Sequence, residues 1–291
     1  MDLRKDISEF LTSRRARITP DDVGLPSLSG NRRVSGLRRE EVAMLAGVSV
    51  DYYTRIERGQ LKGVSESVIA GIARVLNLDD AERGYLNNLV QLSNPTLRAV
   101  SKPKPSNVRQ SILRLLDTMD SFPAYVRNDR LDIVAHNALT RQLFAPMFSA
   151  QPETPNVARF VFLDENSREF FIDWEKIAKD SVGVLRSLAS VNPYDKKLTD
   201  LIGELCTRSE FFRVHWAAHE VFEHKMGTKR FRHPEVGDLE LNFEVLALPQ
   251  DPGLVMATYF AAKGSPSDNA LKLLRISEYE NRTQQDAALE R

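Results

Sequence analysis

The amino-acid sequence predicts an α+β protein in two domains: an all-α bundle of about five helices, then a five-stranded antiparallel sheet with flanking helices. Three observations carry this expectation. From Met1 to Ser93 apolar residues recur at helical spacing, with no strand-like alternation. The stretch "SNPTLRAVSKPKPSN" then brings prolines, lysines and serines with no period, as linkers do. Beyond it a period of two enters, most clearly where Leu239, Leu241, Phe243 and Val245 alternate with Glu240, Asn242 and Glu244. The expected boundaries are 1–94 for the helical domain, 95–107 for the linker, 108–266 for the mixed domain and 267–291 for a C-terminal helical tail.

In chain order, Leu3, Ile7, Phe10 and Leu11 share one face of a first helix. Leu37 to Gly59, "LRREEVAMLAGVSVDYYTRIERG", holds an acid- and arginine-rich helix, a Gly-Val-Ser corner and a second short helix. Val68, Ile69, Ile72, Ala73, Val75 and Leu76 form the face of another. The "DDAE" at Asp79 to Glu82 reads as an N-cap with a reciprocal acid three residues on, opening a last helix through Leu86, Leu89 and Val90. After the linker, "PAYVRNDRLDIVAHN" is two apolar runs joined by Asn128 and Asp129, a hairpin that leads into a helix from Asn137 to Phe144. Trp174, Ile177, Ala178, Val182, Leu185, Leu188 and Ala189 fall on one stripe of a long helix, and "KKLTDLIGELC" gives another. A strand over Val221–Arg232, the alternating strand, a "PQDPG" turn and a run from Leu254 to Ala261 that is apolar on both faces complete the five strands. Two strands, a block of helices and three strands place the helices on one side of the sheet.

Composition narrows the function classes. The 291 residues suit two domains with cores, and a formal net charge of zero leaves any polyanion site to local clusters of Arg and Lys. A single cysteine, Cys206, excludes an intramolecular disulfide framework and a cysteine-based zinc site, and reads as a small buried apolar residue. The N-terminal "MDLRKDISEF" lacks the apolar stretch of a signal peptide, and no apolar run nears the roughly 18 residues of a bilayer span. The expectation is a soluble, cytoplasmic protein. No Gly-rich phosphate loop, nucleophile elbow or paired-carboxylate motif is present, so neither an enzyme nor a catalytic cofactor is expected.

Two helices joined steeply by a three- or four-residue turn form a helix-turn-helix, whose second helix enters a major groove. In the Leu37–Gly59 stretch, Val42, Leu45, Ala43 and Ala46 are placed to face the core. Gly47 supplies the left-handed turn residue, Val48 plugs the gap beneath it and Ser49 caps the next helix. Tyr53 and Ile56 fall on the buried face of that helix, leaving Val50, Asp51, Thr54, Arg55 and Arg58 to point away. "RRVSGLRREEVAMLAGVSVDYYTRIERG", followed by "SVIAGIARVLNLDDAERGYL", resembles the Xre-type helix-turn-helix regulators, specifically the MmyB-like transcription regulators. The resemblance implies a double-stranded DNA partner, with Arg39 on phosphate, Val50 and Asp51 reading bases and Arg55 at a further contact position. It also implies that Glu57 pairs with an arginine of the first helix, for which Arg15 is the best match. A long segment, "ITPDDVGLPSLSGNRRVSG", separates the first two helices where simpler members have a few residues, and it carries Arg32 and Arg33 just before Arg38 and Arg39.

Arginine on phosphate sets register, whereas base edges give specificity. Val50 suits a thymine methyl, Asp51 a cytosine amino group and Arg55 a guanine edge. The expected DNA-contact set is therefore Arg32, Arg33, Arg38, Arg39, Ser49, Val50, Asp51, Thr54, Arg55 and Arg58. A recognition helix with so few strong donors calls for two copies on the half-sites of a pseudo-palindromic operator, hence a homodimer.

The resemblance continues through "DIVAHNALTRQLF", "FLDENSREFFIDWEKIA", "SEFFRVHWAAHEV", "HPEVGDLELNFEVL" and "KGSPS". It implies a PAS-type fold and a sensory domain whose apolar cavity takes a long-chain fatty acid or similar amphiphile. The residues alone supply eight phenylalanines, Phe144, Phe148, Phe160, Phe162, Phe211, Phe212, Phe243 and Phe260, that suit either a cavity or an ordinary core. A carboxylate is held with least loss of solvation by an arginine fork or an imidazole. Arg186, at the rim of the long apolar stripe, is one candidate; Arg127 and His219 are the others, with Trp174 and Trp216 as walls. The expected ligand set is Arg127, Phe144, Phe160, Trp174, Arg186, Phe211, Trp216, His219 and Phe243.

Two rival readings come from other classes. His215 and His219 lie four apart on a helix with Glu223, His224 and His233 nearby, the spacing of a metal-dependent hydrolase tethered to a DNA-binding domain. Trp216, however, stands where zinc peptidases carry the glutamate that follows their first histidine, so no metal is expected. The other rival is a domain that only dimerises.

Overall fold

A computed structural model describes residues 3–25, 34–93, 108–218, 221 and 226–289, with side chains to residue 277. The expected linker, Arg32, Arg33 and His219 lie outside the described residues. Chain contacts divide the protein into two units: Met1–Ser101 with Arg186–Asp195 and Val214–Glu223, and Lys102–Leu185 with Lys196–Arg213 and His224–Arg291. Among the described residues no helix is long and apolar enough to cross a membrane.

The first unit holds the five helices expected: α1 (Leu3–Arg17), α2 (Arg39–Leu45), α3 (Val50–Glu57), α4 (Glu66–Val75) and α5 (Asp80–Ser93). Their apolar faces meet in one core, with Ile7, Phe10 and Leu11 of α1 against Val42 of α2, Tyr53 and Ile56 of α3, Ile72 of α4 and Leu86 of α5, all fully buried. Local chemistry sets the helix starts. The Ser49 hydroxyl accepts from the Tyr52 N–H at 3.2 Å to open α3. At α5 the Asp79 carboxylate accepts from the Glu82 N–H at 2.8 Å while Glu82 accepts from the Asp79 N–H at 3.2 Å, the reciprocal box read from "DDAE". Gly47 takes φ +68° at the corner between α2 and α3. Gly59, at φ +79°, passes so close to α1 that a Cβ would lie 2.6 Å from the Arg4 backbone.

The second unit is built on an antiparallel sheet in the order β2-β1-β5-β4-β3, with β1 at Ala124–Asn128, β2 at Ile133–His136, β3 at Met226–His233, β4 at Gly237–Ala247 and β5 at Leu254–Phe260. The remaining helices are α6 (Gln110–Thr118), α7 (Ala138–Leu143), α8 (Ala145–Ala150), α9 (Val157–Leu163), α10 (Asn166–Phe170), α11 (Trp174–Val191), α12 (Lys196–Arg208), α13 (Glu210–Ala217) and α14 (Pro266–Leu289). They do not all gather on one side, as the strand order along the chain suggested. Ile112 and Leu116 of α6 pack on Ala124, Val126, Leu254 and Met256, one face of β1 and β5. The alternate residues of the same strands, Tyr125 and Tyr259, turn to the opposite face and join Phe144 and Phe231. A strand apolar on both faces, as β5 is apart from Thr258, has both faces covered. The third strand is described over Met226–His233, and Val221, expected to open it, is instead buried in the core of the first unit. Ala270, Leu271 and Leu274 bury the first turns of α14.

Candidate nucleic-acid interface and ligand pocket

In the helix-turn-helix, α3 presents Val50, Asp51, Arg55 and Arg58 to solvent, with Thr54 half-buried, which is the outward face expected from spacing. Ser49 spends its hydroxyl on the cap. Arg38 precedes α2, its N–H donating to the Glu41 carboxylate at 2.6 Å, and its guanidinium lies 3.4 Å from Glu40 at the surface. The starts of α2 and α3 border a shallow cleft lined by Arg15, Val34, Arg38, Arg39, Glu40 and Val50. Three arginines meet here despite a whole-chain charge of zero, with Glu40 at the rim and Glu57 beneath as their counter-charges.

Glu57, the last residue of α3, organises that surface from beneath. Its side chain is fully buried, and Arg15 of α1 donates to one carboxylate oxygen at 2.6 Å. Arg39 of α2 donates to the other oxygen, while the Tyr53 hydroxyl lies 3.4 Å from the first. Burial and the neighbouring carboxylate push the Tyr53 hydroxyl well above the usual tyrosine range. The Arg15 pairing matches the resemblance. The Arg39 pairing adds to it: a residue expected on phosphate is anchored by Nε from below, with its side chain still 45% exposed. Arg55, the expected guanine reader, has only a long 3.4 Å contact to Gln60 to leave.

In the second unit the inner sheet face and α11 enclose a cavity of about 60 Å³. Antiparallel register builds its floor, since Tyr125 pairs with Ala257 and Phe243 with Tyr259, so these side chains share one face. Leu131, Val157, Ile177 and Val184 supply apolar walls, and Arg127, Lys229 and Asp180 the charges. Arg127 is half-buried, and its guanidinium makes no hydrogen bond or ion pair among the described residues. Burial holds it below the usual arginine range. Burial, then repulsion from Arg127, brings Lys229 down to about 8, against the pull of Asp180. Burial raises Asp180, although Lys176 lies 3.5 Å away. It also raises Tyr125 and Tyr259, whose hydroxyls are 3.4 Å apart. Two cations against one carboxylate leave the cavity suited to a single anion.

Of the residues expected around a ligand, Arg127 and Phe243 line this cavity; Phe144, Phe160, Trp174, Arg186, Phe211 and Trp216 are placed elsewhere, and His219 lies outside the described residues. Phe144 belongs to the aromatic core, 5.4 Å from Tyr259 and 5.8 Å from Phe231. Phe160 packs on Phe170 and Phe171. Trp174 donates its indole N–H to the Val161 carbonyl at 3.0 Å, carries Arg168 over its ring and meets Phe211 edge-on. Arg186 and Trp216 group with the first unit, where the buried guanidinium stacks 4.1 Å over the indole and donates to the Trp216 carbonyl. A guanidinium over an indole face gains a cation–π attraction beside its hydrogen bond. Sequence reasoning missed Lys229, Tyr125, Tyr259 and Asp180. The available signal for Lys229 was its phase, which it shares with buried Phe231 and His233 along β3.

Of the residues named for the metal reading, His219, Glu223 and His224 lie outside the described residues, and His233 has both ring nitrogens in hydrogen bonds. His233 is 2% exposed, its Nδ1 accepting from the Glu235 N–H at 3.2 Å and its Nε2 donating to the Gln142 carbonyl at 3.0 Å. Among the described residues no group of three or more His, Cys, Asp or Glu is placed to hold a metal ion.

A helix-turn-helix surface joined to a domain with a charged, apolar-walled cavity defines a ligand-responsive, DNA-binding transcription regulator. Residues 7–86 match the helix-turn-helix domain family, and residues 108–274, more than half of the chain, match the MmyB-like transcription regulator ligand binding domain. The chain belongs to the MmyB-like transcription regulators. No curated protein matches it.

Proposed function

We propose that this regulator acts in the cytoplasm as a homodimer on a pseudo-palindromic operator, and that its second unit is a PAS-type sensor for a long-chain fatty acid or similar carboxylate amphiphile. The strand order 2-1-5-4-3 supports the PAS-type reading. Arg127 carries the ligand reading: a half-buried guanidinium without an ion pair among the described residues, set in an apolar-walled cavity, is electrostatically incomplete until an anion reaches it. About 60 Å³ accommodates a carboxylate and the first few carbons, so a long chain enters by displacing wall side chains such as Leu131 and Val157. Mass spectrometry of the denatured, purified protein tests the reading through co-purifying fatty acid. Arg127→Met is expected to weaken fatty-acid binding by about 10- to 100-fold, the loss of a charge-assisted hydrogen-bonded pair. Unchanged affinity removes Arg127 from the head-group role. Operator affinity of delipidated protein, with and without added fatty acid at fixed salt, tests the coupling; identical values would make the lipid structural filling.

For the DNA face, Arg38→Ala is expected to weaken specific and random sequences alike and to lower the salt slope by about one. Arg55→Ala is expected to cost about 1 to 3 kcal/mol on the preferred site and to relax preference at one base position. Equal losses on all sequences would reassign Arg55 to phosphate, and an unchanged salt slope would leave Arg38 a solvated residue.

A further inference from the structure

We propose that Lys229 captures carbonyl compounds: its amine forms a reversible imine with an aliphatic aldehyde or ketone that enters the cavity, which gives the regulator a covalently held class of ligand. The inference rests on the cavity being a ligand site, as argued above. An imine-forming lysine needs a neutral amine at working pH, a proton donor for the departing hydroxyl and an apolar space for the carbonyl's substituent.

All three are present around Lys229. Among the described residues, the charged and titratable groups that bear on its amine are Arg127 and Tyr125 from β1, Tyr259 from β5, and Lys176 and Asp180 from α11. Asp180 and the face of Phe243, whose ring centre is 4.7 Å from Nζ, favour the ammonium form; burial, Arg127 and Lys176 oppose it and prevail, leaving a pKa of about 8. At pH 7 roughly one such amine in ten is neutral, against roughly one in three thousand for a lysine at its ordinary value of 10.5. The proton donor is Tyr259, whose hydroxyl lies 3.5 Å from Nζ and 3.4 Å from that of Tyr125. Burial keeps both hydroxyls protonated across the range in which Lys229 titrates. Phe243, Val245, Ala257 and Ile177 provide the apolar space.

The chemistry closes without oxidant or reductant. The Nζ lone pair attacks the carbonyl carbon and forms the C–N bond, and the carbonyl π pair moves to oxygen, which takes the proton that nitrogen loses. In the carbinolamine, Tyr259 protonates the hydroxyl, which leaves as water while the nitrogen lone pair forms the C=N bond, and the proton then lost from the iminium nitrogen restores the Tyr259 hydroxyl. Amine and carbonyl compound give imine and water, and hydrolysis reverses the step.

The test uses the full-length wild-type protein with butanal and cyanoborohydride at pH 7, followed by peptide mapping of butylated lysines. Lys229 is expected to be modified at least about tenfold faster than Lys176, its exposed neighbour on α11, with a rate that rises to a plateau around pH 8. The Lys229→Arg variant, which retains the charge, is expected to lose the fast adduct alone. Modification of Lys229 no faster than Lys176, or a rate still climbing beyond pH 9, overturns the proposal. Absence of the fast adduct in protein that still binds fatty acid through Arg127 sinks the lysine proposal and leaves the sensor reading standing. A fast adduct in protein that binds no fatty acid does the reverse.

Discussion

Glu57→Ala is expected to destabilise the first unit by about 3 to 5 kcal/mol, because it strips a buried ion pair of one partner and leaves the other uncompensated. Glu57 is fully buried and receives Arg15 on one oxygen and Arg39 on the other, so a single carboxylate ties the end of α3 to α1 and to the start of α2. Arg15, only 14% exposed, has one other acceptor among the described residues, the Leu37 carbonyl at 2.8 Å, which cannot balance its charge. Glu57→Gln keeps the shape but turns one acceptor oxygen into an NH₂ donor facing a guanidinium, so much of the loss persists. Hydrogen exchange in the full-length protein gives the readout: α3 amides lose protection in both variants, and more in Glu57→Ala. Protection equal to wild type would show that the carboxylate is dispensable and that apolar packing alone seats the recognition helix. DNA affinity falls with protection, since Arg39 and the cleft beside it are set by the same carboxylate.

What could be read from the sequence follows from how local the cause is. The cap at Ser49, the box at Asp79 and Glu82 and the corner at Gly47 are determined by residues within three positions of one another, and all three appear where spacing placed them. The Glu57–Arg15 pair joins residues 42 apart, and only the family resemblance pointed to it. The contacts of Arg186 are equally remote. On its helix it borders an apolar stripe, but its partner Trp216 is 30 residues on, and no periodicity shows that a carbonyl and a ring face meet it. Lys229 was invisible to hydropathy, which counts lysine as surface. Only the strand phase shared with Phe231 and His233, together with neighbours from β5 and α11, turns it inward. The pocket is thus a product of register between distant strands, whereas the helix-turn-helix is largely a product of its own short stretch.

Lys229→Met is expected to stabilise the second unit at pH 7 by about 1 to 3 kcal/mol, opposite in sign to its effect on carbonyl capture. Folding lowers the lysine from 10.5 to about 8, so the native state binds this proton less tightly than the unfolded chain does. Below pH 8 both states are protonated and the native state carries the whole burden of an ammonium in a poor place. Between about 8 and 10.5 the unfolded chain holds a proton that the native state has shed, so wild-type stability climbs with pH. The full difference is worth about 3 kcal/mol, and loss of the contact to Tyr259 and of the attraction of Asp180 in the variant offsets part of it. Tyr125 and Tyr259 have raised values and act in the opposite sense; the stability they confer is present below the unfolded tyrosine value near 10 and lost above it. Measurements from pH 7 to about 9.5 therefore isolate the lysine. Urea unfolding followed by hydrogen exchange in β3 and β5 should show Lys229→Met ahead of wild type at pH 7, with the gap narrowing toward pH 9.5. A gap of constant size across that range would mean that Lys229 keeps an ordinary, solvated ammonium. The cavity would then lose the feature that separates a reactive amine from a plain counter-ion.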